Sequence, residues 1–91
     1  MATFDELSKH YAVDLQKSYS KRVTAEKVVR DIKNLVYTGS NTPLSRHDQQ
    51  QIAEGVFEKL GILSHGQVRK DADNKEFLEL AVYVLSQFES K

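Results

Sequence analysis

Apolar residues recur at steps of three and four in four separate stretches of this 91-residue chain, and that spacing constrains its fold more than any other feature. Such steps place side chains on one face of an α-helix, whereas alternation at every second residue would mark a strand. No useful length of the chain alternates. The expected fold class is therefore all-α, without a sheet: a compact antiparallel four-helix bundle formed by one domain over residues 1–91. Helices are expected over about residues 3–20, 24–38, 43–60 and 73–89.

Each of the four has its own start signal. Thr3 and Glu6 have capping-box spacing, and Phe4, Leu7, Tyr11, Leu15 and Tyr19 then follow on one helical face. The second helix opens near Thr24, where Val23 and Val28 have the spacing of a hydrophobic staple. Its stripe is Ala25, Val28, Val29, Ile32, Leu35 and Val36, with Gly39 expected to end it. No glycine or proline separates these two helices, so residues 17–23 read as a bend rather than a loop. Residues 39–45, GSNTPLS, hold the only proline and form the clearest loop. The third helix begins from Thr42 with Pro43 in its first turn, or from Ser45 with Asp48 three residues on. Ile52, Ala53, Val56, Phe57 and Leu60 form its stripe. Gly61 ends it, with Ile62 placed to touch Phe57. Gly55, inside this helix, costs about 1 kcal/mol relative to alanine, and a close helix crossing is the reason expected for it. Asp73 and Glu76 repeat the capping spacing at the fourth helix, and residues 63–72 are expected to be a polar loop.

The fourth helix carries more apolar surface than a one-sided helix needs. In EFLELAVYVLSQF, residues 76–88, one stripe holds Phe77, Ala81, Val84, Leu85 and Phe88; Leu78 and Val82 widen it, and Leu80 and Tyr83 lie off it. A helix apolar nearly all round is buried on more than one side. Three neighbours in so short a chain can scarcely wrap a fourth, so part of this surface is expected to meet a partner, a second copy being the simplest. Leu80, Tyr83 and Phe88 are the expected anchors, since aromatic side chains bring large contact area with few rotors.

Charge is zero overall, with 13 basic and 13 acidic residues, but it is segregated. Residues 15–37 hold Lys17, Lys21, Arg22, Lys27, Arg30 and Lys33 against Glu26 and Asp31; residues 71–91 hold five acids against two lysines. Neighbouring helices with complementary solvated faces explain this most simply; two separate partner surfaces are the other reading.

Composition and motifs exclude several classes. The absence of cysteine removes disulfides, iron–sulfur clusters, thiolate zinc sites and cysteine nucleophiles. The first residues lack the apolar core of a signal peptide, and the longest apolar run, residues 81–85, is far short of a membrane span, so a cytoplasmic protein with no membrane association is expected. Residues 70–80 look like half a calcium loop, but from Asp71 the sixth position is Glu76, not glycine, and the twelfth is Val82, not glutamate. Glu6, His10 and Asp14 share one helical side without an evident further ligand and read as a solvated face. His47, Asp48 and Ser45 are too close in sequence to converge as a triad, and His65 stands alone. No GxSxG elbow, phosphate loop or dinucleotide fingerprint occurs. No catalytic residue, metal site or cofactor is therefore assigned.

The function expected is that of a small regulatory or inhibitory protein, not an enzyme, acting by protein–protein binding and homodimeric. The alternative is a nucleic-acid-binding transcriptional regulator. It would use Lys17, Lys21, Arg22, Lys27 and Arg30, or a helix-turn-helix-like segment over residues 53–70. Phe57 where that motif wants a small residue, Gly66 in the reading helix and nearby Asp71 and Asp73 count against the second form.

Overall fold

A computed structural model describes residues 3–37, 39–64 and 67–88. Four helices, α1 (Phe4–Lys17), α2 (Lys21–Lys33), α3 (Arg46–Lys59) and α4 (Lys75–Ser86), dominate it. Between α3 and α4 lies a two-stranded antiparallel hairpin, β1 (Leu63–Ser64) and β2 (Gln67–Val68), which pairs Leu63 with Val68 and Ser64 with Gln67. That sheet corrects the expectation of none. Two-residue strands are too short to show alternation, which is why periodicity misses them. No helix among the described residues is long and apolar enough to cross a membrane.

Local chemistry sets the ends. Thr3 Oγ1 accepts from Glu6 N at 3.1 Å and starts α1. Ser45, one of the two candidate caps, starts α3 by accepting from Asp48 N at 3.1 Å. At the other end of α3, Gly61 adopts φ +80°. Ile62 N donates to Phe57 O at 2.9 Å and Gly61 N to Glu58 O at 3.1 Å, a Schellman ending with Phe57 and Ile62 both buried. The fourth helix is capped one residue later than expected: Asn74 Oδ1, not Asp73, accepts from Phe77 N at 3.1 Å.

Two boundaries differ more. The second helix ends at Lys33 instead of continuing to residue 38. Leu35, Val36 and Tyr37 turn into an extended segment that pairs back on residues 42–44, through a bridge between Val36 and Pro43 with Tyr37 N donating to Thr42 O at 3.0 Å and Leu44 N to Leu35 O at 3.2 Å. Gly39, at φ +76°, serves the bend of this arm rather than a helix ending. The first helix stops at Lys17, so residues 18–20 are a sharp corner, and α2 begins at Lys21, earlier than Thr24.

One apolar cluster joins the elements, with Leu15, Ile32, Ile52, Val56, Phe57, Val84 and Phe88 almost wholly enclosed. The most extensive packing is between α1 and α3, which run antiparallel: Lys59 pairs with Asp5 at 2.7 Å near one end, and Ser8 Oγ donates to Ile52 O at 3.0 Å further along. Gly55 sits at this crossing. A Cβ there would meet Ser8 Oγ and lie 2.9 Å from Ser8 Cβ, so the close approach expected of this glycine is what the structure contains. The second and fourth helices also pack together but run in the same sense, with Lys21 near Phe77 at one end and Lys33 near Phe88 at the other. Among the described residues α1 and α4 make no close backbone approach. They flank the α2–α3 pair, an arrangement that departs from the expected antiparallel packing.

Candidate functional site

The residues expected to anchor a partner do not share one surface. Leu80 is 4% exposed and Phe88 1%, both inside the chain's own core. This corrects their assignment as surface anchors. The physical reason is that α4 packs against both α2 and α3, so its own chain covers more than the one stripe. Tyr83 is half-buried, with the Arg22 guanidinium 3.9 Å from its ring centroid. The apolar residues of α4 that do reach solvent are Val82, 69% exposed, and the half-buried Leu78 and Leu85. Standing at i, i+4 and i+7, these three form one stripe. Its border is polar, with exposed Lys75, Glu79 and Ser86 beside it.

The basic set divides in two. Three cations of α2 lie over aromatic rings of α4 and of the residues just after it: Lys21 Nζ at 5.8 Å from the Phe77 centroid, Arg22 over Tyr83, and Lys33 Nζ at 5.9 Å from Phe88. Lys21 also donates to Ser18 O at 3.1 Å, and Arg22 lies 3.7 Å from Glu26. Such contacts are worth about 0.5–1 kcal/mol each at exposed sites. No ion pair joins α2 to α4 among the described residues, so the two segments of opposite charge are neighbours, but their contact is cation on ring. Lys17, Lys27 and Arg30 are exposed and make no such contact.

The segment considered as a helix-turn-helix does not form one. After α3 the chain enters the β1–β2 hairpin, with Arg69 N donating to Ile62 O at 2.9 Å, so among the described residues no second helix follows the turn. Arg69 instead clasps Asp71 through two hydrogen bonds of 2.9 Å, and that guanidinium holds the Asp71 carboxyl below its usual range.

The residues considered for chemistry have other work. His10 Nε2 lies 3.5 Å from Asp14 on an exposed face, and no group of three metal-ligating side chains comes together among the described residues. His47 Nε2 contacts Gln51 Nε2 at 3.1 Å. Asp48 receives the Tyr37 hydroxyl, which in turn accepts from Ser45 N at 3.2 Å, so this cluster staples the residue 35–44 arm to the start of α3. His65 lies outside the described residues. Tyr11 is buried, and burial first, then the Asp31 and Asp14 carboxylates, push its phenol above the ordinary value.

Comparison of the chain with protein-family models, with curated proteins and with solved structures finds no match in any of the three.

Proposed function

We propose that the protein is a small cytoplasmic regulatory or inhibitory protein that works by binding another protein rather than by catalysis, and that it self-associates as a homodimer. The observation that carries this reading is the Leu78–Val82–Leu85 stripe on the outer face of α4, where Val82 stays 69% exposed although the same helix supplies four residues to the core. Apolar side chains in line, with a polar border, are the usual makings of an interface centre and rim. The spacing also suits a second copy. In an antiparallel α4–α4 contact about a two-fold axis near Val82, Leu78 of one copy comes opposite Leu85 of the other. The anchors thus move from Leu80 and Phe88 to Leu78, Val82 and Leu85, with Tyr83 at the edge.

Sedimentation of the purified chain at several concentrations and two salt levels tests this. The expected result is a concentration-dependent dimer that responds little to salt and dissociates in Val82→Glu. A strict monomer across the range, or a dimer indifferent to Val82→Glu, overturns it.

A further inference from the structure

The corner between α1 and α2 is tied firmly and yet displays an unburied ring. Ser18 and Ser20 are extended; Ser18 Oγ donates to Ser20 O at 2.8 Å and pairs with Thr24 Oγ1, and Lys21 Nζ holds Ser18 O. At the apex Tyr19 is fully exposed, without a ring contact or hydrogen bond among the described residues. Beside the corner a shallow cleft between the two helices is lined by Lys17, Ser18, Thr24 and Lys27, with Asp14 and Asp31 on its walls. Val23, 60% exposed, continues along the outward ridge of α2 with Lys27 and Arg30 at i+4 and i+7.

We propose that this corner binds a short single-stranded nucleic-acid segment, with one base stacked on Tyr19 and the neighbouring phosphates met by Lys17 and Lys27 at the adjoining cleft and by Arg30 further along α2. An open aromatic face beside cations that have no ion pair among the described residues is what sequence-tolerant single-strand binding requires. The three basic residues that α4 uses, Lys21, Arg22 and Lys33, are not needed. A duplex fits poorly: its bases are already stacked, and Asp14, Asp31 and Glu26 among the cations restrict favourable phosphate contacts to a few. An acidic peptide would meet the lysines but leave the ring without a planar partner. Those acids also make the binding weak and local.

Fluorescence anisotropy with a labelled oligothymidylate of about twelve nucleotides tests the proposal at 50 and 200 mM salt. Saturable binding is expected at the lower salt, with a log–log salt slope of about −1.4, the value for two single-strand phosphates. Tyr19→Ala should weaken it about tenfold, and Lys27→Glu with Arg30→Glu should abolish it. Both positions are exposed, and a circular-dichroism melt of each variant confirms that it folds. Val82→Glu should bind the oligonucleotide as the unaltered chain does, which keeps this proposal separate from the α4 interface. Three results would overturn it: no binding at low salt, binding unchanged by Tyr19→Ala, or equal binding of the matching duplex or of polyglutamate.

Discussion

Gly55 shows how a single residue type records a distance. Alanine is the better helix former by about 1 kcal/mol, yet the added methyl would have to displace Ser8, whose hydroxyl is buried and bonded to Ile52 O. Gly55→Ala should therefore destabilise the fold by about 1–3 kcal/mol in urea denaturation. Combining it with Ser8→Gly should cost less than the two single changes added together, by an interaction energy of about 1 kcal/mol or more; strict additivity would mean the helices do not touch there. Tyr11 supplies a pH dependence. Its phenol is raised when folded, so the native state holds that proton more tightly than the unfolded chain does. The stabilisation is complete below the unfolded pKa of about 10 and is lost as pH rises through the higher folded value. Stability should thus fall more steeply above pH 10 in the native sequence than in Tyr11→Phe, a difference that paired denaturant titrations at pH 9 and 11 would reveal. The glycine was legible in the sequence because a helix interior gives glycine no local reason to be there. Tyr11 was legible only as a stripe member, since the carboxylates that face it come partly from another helix.

Helix ends obey local rules where one side chain does the capping, and the sequence could be read there. Asn74→Ala should cost about 1 kcal/mol, whereas Asp73→Ala should cost under about half that; thermal melts of the two variants distinguish the actual cap from its neighbour. Where two segments compete through pairing, local reading failed. Leu35 and Val36 continue the helical stripe of α2 as letters, but Thr42, Pro43 and Leu44 offer extended backbone to pair with, and β-branched Val36 loses little by leaving a helix. The β1–β2 hairpin was missed for a similar reason: its evidence was a glycine between two short polar–apolar runs, a signal weak without its partner strand. The fourth helix carries the sharpest contrast. Leu80→Ala should lower stability by about 2–4 kcal/mol, and Val82→Ala by about 0.5 kcal/mol or less, as measured by chemical denaturation of dilute protein. The sequence held the surplus of apolar residues, but not which of them a neighbour covers, because that depends on the direction in which α2 crosses.

Over the whole molecule, charge segregation forecast adjacency better than it forecast bonding. The basic second helix and the acid-rich C-terminal one do lie together, yet the rings of Phe77, Tyr83 and Phe88 receive the cations of α2, and no carboxylate of α4 pairs with them among the described residues. Arg22→Ala should consequently cost only about 0.5–1 kcal/mol and respond less to added salt than a carboxylate pair would, which thermal melts at low and high ionic strength can compare. The radius of gyration, 12.6 Å, is close to the roughly 12 Å expected for a domain of this length, so this packing leaves little room to spare. Because α4 and α1 make no close backbone approach, the molecule has a natural line of division. Amide protons of α4 can exchange with deuterium by lifting that helix away while the α1–α3 clasp stays shut. Native-state exchange should then rank α4 below α1 and α3 in protection, and a sleeve of that kind exposes the inner side of α2 for brief intervals without dissolving the rest.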